Sequence, residues 1–249
     1  NNIEKYDNSS KSMDKWSDHI KSFGLGSFLG NDLSVGKKGN IPDGNYYDKW
    51  YPEFQWGATT IISNSIGQGE ILVTPIQLAN MTAAIANKGF YFTPHIIKSI
   101  ENEQIDSNFN SPKQTTIDPK YYEPIIEGMH NVYNKGTASF LKVPGIEICG
   151  KTGTAENFTK VDGVRQQLTD HSIFIAFAPK ENPKIAIAVL VENGRYGARW
   201  AGRVASLMIE KYIKGEVSLK RMEKLVVEKS LEDEYLKPYS GKPFKINDQ

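Results

Sequence analysis

Apolar residues recur along this chain at two different periods, and the switch between them marks out its elements. Trp16, Ile20 and Phe23 fall at helical spacing and stop at Gly24, which predicts a short helix after a polar start, residues 1–12, expected to lack order. Residues 24–58 show no period. They are rich in Gly, Asp and Asn and carry aromatic anchors at Tyr46, Tyr47, Trp50, Tyr51, Phe54 and Trp56. An irregular segment of this length is expected to act as a lid or binding surface.

Thr74-Pro75-Ile76-Gln77 is a helix start: a capping Thr, Pro at the first helical position, and Gln to close a capping box. Leu78, Met81 and Ile85 give that helix a stripe, and Gly89 ends it. Tyr91 to Ile100 reads as a strand or extended segment, and residues 101–117 as an exposed loop. A second helix starts between Asp118 and Glu123, with Ile125, Met129 and Val132 on one face.

Three strands follow: Ile146–Thr152, His171–Ala178 and Lys184–Glu192. In the last, Ile185, Ile187, Val189 and Val191 alternate with Ala186, Ala188 and Leu190. Both faces are apolar, which predicts a central strand covered on both sides. Asn182-Pro183 turns the chain between the last two strands and predicts a hairpin. Ala198 to Ile213 reads as a closing helix with Val204, Leu207, Met208 and Tyr212 inward. The expected division is residues 1–213 as one folded unit and 214–249 as a tail, helical or loose.

Composition narrows the classes of function. With 249 residues, 39% hydrophobic and 24% charged, the chain is ordinary globular protein. Thirty Lys and Arg against 29 Asp and Glu leave a net charge of +1, so no basic excess points to nucleic acid. The single cysteine, Cys149, excludes an internal disulfide and reads as a small buried residue rather than a nucleophile. No apolar run approaches the ~20 residues of a membrane span. His19, His95, His130 and His171 show no metal-ligand spacing, so no metal is expected. The N-terminus, without Met or signal sequence, is expected to be an internal cut point.

The chemistry is concentrated in Cys149-Gly150-Lys151-Thr152-Gly153-Thr154-Ala155-Glu156. A strand here ends in a cation, two hydroxyls and a glycine. Lys151 offers a charge to a carboxylate, and the Thr hydroxyls offer donors to the same group. Gly153 lets another backbone come close. The edge of such a strand can also pair with an extended peptide. By itself the tripeptide Lys-Thr-Gly reads more readily as a strand end followed by a polar turn than as a site.

Its neighbours give it a context. Phe23-Gly24-Leu25-Gly26, Ser65-Ile66-Gly67-Gln68-Gly69, Val73 to Ala79, Lys151 to Glu156, His171-Ser172-Ile173-Phe174, Phe177-Ala178-Pro179 and Val191-Glu192-Asn193-Gly194 stand in this order. Together they resemble the transpeptidase domain of class B penicillin-binding proteins, elongation type, from about Trp16 to about Tyr212. Lys-Thr-Gly is the third signature of these serine enzymes. The resemblance implies an α/β fold of the penicillin-binding protein/β-lactamase-like kind: a mainly antiparallel sheet with helices on both faces, here incomplete at its N-terminal side. It implies a D,D-transpeptidase without cofactor. Its partners would be a peptidoglycan stem peptide or a β-lactam, and the elongation-machinery proteins. Its place would be the periplasmic face of the inner membrane, with the parent anchored by an N-terminal helix outside this chain. As catalytic residues it implies Lys151, the lysine that neutralises the substrate carboxylate, and Thr154, whose backbone N–H is half of an oxyanion hole. Thr152 and Gly153 complete the strand edge along which the stem peptide lies.

The first two signatures are missing. Ser-x-Asn does not occur in the chain. Ser12-Met13-Asp14-Lys15 and Ser139-Phe140-Leu141-Lys142 match Ser-x-x-Lys by letter, but one lies in a polar start and the other far downstream of the Gly-Gln-Gly segment. The expectation is therefore a chain that begins after the second signature and lacks the nucleophile. A β-lactamase or carboxypeptidase of the same superfamily is the rival among enzymes. A β-lactam-sensing or peptide-binding module of the same fold is the rival outside them.

Overall fold

The computed structural model describes residues 8–30, 32–52 and 56–232. Asn8 accepts the Lys11 N–H and so starts α1, Ser9–Lys21. The polar start is thus helical from Ser9, because a cap and an inward face at Met13 and Ser17 suffice to order it; residues 1–7 lie outside the described residues. The aromatic segment also differs from expectation. Asp43 caps α2, Gly44–Trp50, by accepting the Tyr46 N–H, and α3, Ala58–Ser65, follows. Phe54 lies outside the described residues.

The capping box at Thr74 and Gln77 is present and opens α4, Pro75–Ala86. Of the strand expected from Tyr91 to Ile100, only β1, Phe90–Tyr91, forms. It pairs with β2, Lys113–Gln114, across a connection holding the one-turn helix α5, Ser107–Asn110. A 3-10 turn at Pro119–Tyr121 leads into α6, Tyr122–Asn134, so both prolines sit where a missing N–H costs little. The buried face of α6 is Tyr122, Ile126, Met129 and Tyr133, whereas Ile125 is 52% exposed.

The main sheet has three strands in the order β3-β6-β7: Cys149–Ala155, His171–Ala178 and Ile185–Val191, antiparallel throughout. Between β3 and β6 a separate hairpin stands out, β4, Phe158–Val161, and β5, Val164–Gln167, joined at Asp162-Gly163. The last elements are α7, Ala201–Lys214, and α8, Lys220–Glu228. One sheet face packs on α4 and α6 through Cys149, Phe177 and Ala186; the other packs on α7 through Phe174, Ala176 and Ile187. Helices on both faces of an antiparallel sheet are what the sequence predicts. β7 is covered on both faces, as expected, but among the described residues it is an edge strand rather than a central one.

The inward face of α7 is not the one expected. Ala201, Ala205, Ser206, Ile209 and Glu210 are buried, while Met208 is 51% and Tyr212 63% exposed. Glu210, fully buried, accepts the N–H groups of Ser218 (3.1 Å) and Leu219 (3.3 Å) and so ties down the start of α8. Leu219 and Met222 pack against the core beside α7. The expected tail is thus a docked helix in its first part, and residues 233–249 lie outside the described residues.

Candidate active site

Lys151, Thr152, Gly153 and Thr154 all lie on β3, whose second edge is unpaired among the described residues. The register decides which backbone groups that edge presents. Ile175 O lies 3.0 Å from where a Cβ on Gly150 would stand, so Ile175 turns toward β3. Its Cα partner is Lys151. In an antiparallel ladder, alternate residues bond inward and outward. Lys151, Gly153 and Ala155 therefore bond to β6, and Thr152 and Thr154 turn both N–H and C=O to the open side. Thr152 O is in use there: it accepts Lys151 Nζ at 2.7 Å.

The side chains divide the other way. Lys151 and Gly153 share the α4 and α6 face, and Thr152 and Thr154 share the α7 face. A ligand that touches both Lys151 Nζ and the Thr154 hydroxyl must straddle the edge. Beside Lys151 its own face is only partly covered. Phe177 and Cys149 are closed over by Met129, Ile126 and Ala86, but Leu190, in the row of Gly153 and Ile173, is 41% exposed.

The strand is held from behind. Ser172 is the cross-strand partner of Thr154. Its hydroxyl donates to Tyr196 O at 2.8 Å and accepts the Ala201 N–H at 3.2 Å, fixing the 193–200 loop and the start of α7. Gly197 of that loop lies directly on β3: a Cβ there would stand 2.4 Å from Gly153 O and 2.6 Å from Ile173 O. Sequence reasoning gave Gly197 no part; only the loop's path over the sheet reveals it. Past Thr154, Asn157 donates to Asn193 Oδ1 (2.7 Å) and Thr169 O (3.2 Å), and Gln167 donates to Asp170 Oδ1 (3.1 Å), anchoring the root of the β4-β5 hairpin. On the hairpin, the Arg165 guanidinium meets Glu156 at 3.0 Å and lies 4.0 Å over the Phe158 ring.

Cys149 is fully buried, and burial pushes its thiol up to about 12. That keeps it protonated and unreactive near neutral pH. Neither serine of the two chance Ser-x-x-Lys matches joins its lysine. Ser12 Oγ donates to Asn8 O at 3.0 Å, and Lys142 Nζ reaches Asn134 Oδ1 at 3.4 Å. No group of three or more potential metal ligands occurs among the described residues.

An antiparallel sheet between helices, with Lys-Thr-Gly on an open edge, defines a class, and comparison with known families agrees. Residues 7–210 match the penicillin binding protein transpeptidase domain, and the chain belongs to that family. It is 30% identical over 219 residues to the peptidoglycan D,D-transpeptidase MrdA of Haemophilus influenzae, covering 81% of this chain and 33% of that protein. It is 31% identical over 199 residues to MrdA of Escherichia coli K12, covering 74% and 31%. Among solved structures it resembles Pseudomonas aeruginosa PBP2 in complex with WCK 5153, with TM-score 0.68, 30% identity, and coverage of 84% and 44%. It also resembles an imipenem acyl-enzyme complex of Mycobacterium tuberculosis penicillin-binding protein A, with TM-score 0.60, 27% identity, and coverage of 79% and 41%. The chain spans about a third of the length of the curated relatives it matches.

Proposed function

We propose that this chain is the substrate-holding part of a peptidoglycan D,D-transpeptidase of the elongation type. The observation that carries the proposal is the outward-facing edge of β3, with Lys151 and Thr154 reaching its two sides. An extended stem peptide pairs with the N–H and C=O groups of Thr152 and Thr154 as an added strand. Lys151 Nζ leaves Thr152 O for the substrate carboxylate, and the Thr154 hydroxyl donates to the same group. Thr154 N–H points at the oxygen of the carbonyl under attack and supplies one of two oxyanion donors, a contribution of about 3 kcal/mol to the barrier.

The attacking serine lies outside this chain. Attack by its hydroxyl on the D-Ala-D-Ala carbonyl forms an ester, releases the terminal D-Ala, and leaves an acyl group for the amine of a second stem peptide. The partly open strip around Leu190 and Ile173, beside Lys151, is where an element carrying that serine would pack. β-Lactams enter the same edge because they carry the same carboxylate next to a reactive carbonyl. No helix among the described residues is long and apolar enough to cross a membrane. We place the parent protein at the periplasmic face of the inner membrane, among the elongation proteins, by kinship with the MrdA relatives.

Fluorescent penicillin labelling of the parent protein, with and without Lys151→Ala, tests this. Labelling of the unaltered parent that falls steeply in the variant is expected. Equal labelling of both would remove Lys151 from the site.

A further inference from the structure

On the transpeptidase reading, two contacts fix the direction of the donor peptide along β3. Its terminal carboxylate lies at Lys151, and the carbonyl under attack lies at the Thr154 N–H. From C-terminus to N-terminus the donor therefore runs from Lys151 toward Ala155, antiparallel to β3. The residue upstream of the attacked D-Ala is carried past Ala155, one step of ~3.4 Å further along the edge. The next charged side chain on β3 and its continuation is Glu156, exposed just beyond the strand end. Beside it stands Arg165, brought across from β5 to 3.0 Å from Glu156.

The hairpin that carries Arg165 has no packed face. Every residue of β4 and β5 is exposed, and a two-stranded ribbon has little stability of its own. The Phe158 ring lies 4.0 Å from the guanidinium and restrains it without neutralising it. As a stabilising contact the Glu156–Arg165 pair contributes little, because its side chains are 55% and 48% exposed. Its capacity for a ligand is larger. A guanidinium has five N–H donors and a carboxylate two oxygens, so each can hold its partner and a further group at once.

We propose that Glu156 and Arg165 read the side chain of the donor residue that precedes D-Ala-D-Ala, and that they select one ending in an amino-acid head, an ammonium and a carboxylate on the same carbon. Glu156 takes the ammonium and Arg165 the carboxylate, each by a charge-assisted hydrogen bond. A diaminopimelate residue carries such a head. A lysine residue carries the ammonium alone and leaves Arg165 without a carboxylate. The proposal rests on the transpeptidase reading and adds specificity residues to that site, not a catalytic group.

Three penicillins that differ only in their side chains measure it on the parent protein. An aminoadipyl side chain ends in such a head, an adipyl side chain keeps the carboxylate without the amine, and the benzyl side chain of benzylpenicillin is uncharged. Acylation rate constants are read as ratios to benzylpenicillin, which cancels any effect of a variant on the common step. The aminoadipyl ratio is expected to exceed the adipyl ratio. It should fall roughly threefold in Arg165→Ala and in Glu156→Gln, the size of one exposed charge pair. Arg165→Lys keeps part of the preference. For the adipyl side chain the two variants act in opposite directions: Arg165→Ala lowers its ratio, and Glu156→Gln raises it by removing a like charge. Ratios unmoved by either variant, or an aminoadipyl ratio no higher than the adipyl one, would overturn the proposal and leave the transpeptidase reading intact. Acylation by none of the three would overturn both.

Discussion

Among the described residues, one sheet carries two unpaired edges of opposite character. The β3 edge sets Lys151, two threonine hydroxyls and a glycine around outward backbone groups; the β7 edge sets alanines and a leucine around the same groups. Both turn backbone N–H and C=O groups outward, and the side chains decide what each can receive. On the proposed function, the ligand at β3 brings a carboxylate. At β7 no side chain of the strand offers a charge to bind one. An open backbone edge is therefore not by itself a site; the charges and hydroxyls beside it give it chemistry.

The sharpest way to break the comparison is to remove the charge from one edge and leave the other intact. In the parent protein, Lys151→Ala is expected to lower the rate constant for acylation by a fluorescent penicillin by about a hundredfold or more, as loss of a preorganised electrostatic partner does. Lys184→Glu at the β7 edge should leave that rate unchanged. Next in size is the support behind β3. Gly197→Ala forces a methyl group to within 2.4 Å of Gly153 O, and urea unfolding should show a loss of about 2 kcal/mol as the strand is displaced. Thr154→Val keeps the outward N–H and deletes the hydroxyl, so acylation should slow by roughly tenfold, one hydrogen bond to a charged group. A loss equal to that of Lys151→Ala would show that the hydroxyl does more than hold the carboxylate.

Smaller again is Tyr133→Phe, which keeps the ring packed over Gly150 and removes the buried bond between Tyr133 Oη and Ser206 Oγ (2.9 Å). It should cost about 1 kcal/mol in the same unfolding assay. The smallest signal is at Cys149. A thiol reagent at mildly alkaline pH should leave it unlabelled in the folded chain and label it fully in denaturant. Folding holds this thiol protonated up to about 12, so its contribution to stability is complete below its ordinary pKa and declines as pH rises from there toward 12.

Parts of this architecture were legible in the sequence because local chemistry agreed with the tertiary environment. The Thr74–Gln77 capping box formed as read, and His171–Ala178 was placed at both of its ends. β3 was placed three residues early, because its polar end, Gly153 to Ala155, has little strand character of its own and is drawn into the ladder by β6. The face of α7 was misjudged for a related reason. Large side chains usually mark the inward stripe of a helix, but here close approach favours small ones: a Cβ on Gly202 would lie 2.6 Å from Leu141 and 3.1 Å from Phe174. Met208 and Tyr212 are left outside as a result. At the site itself, the identities of Lys151 to Thr154 could be read from letters. Which of their backbone groups face outward could not, since that depends on the pairing with a strand some twenty residues away.

The division of labour between this chain and the rest of its parent is open to one direct measurement. Intact-mass spectrometry would follow the parent protein and this chain, each incubated with the same β-lactam. The account predicts that the parent gains the mass of the drug and the chain does not. A stable adduct on the chain, mapped to Ser12, Ser139 or any other of its residues, would contradict it and place the nucleophile within these 249 residues.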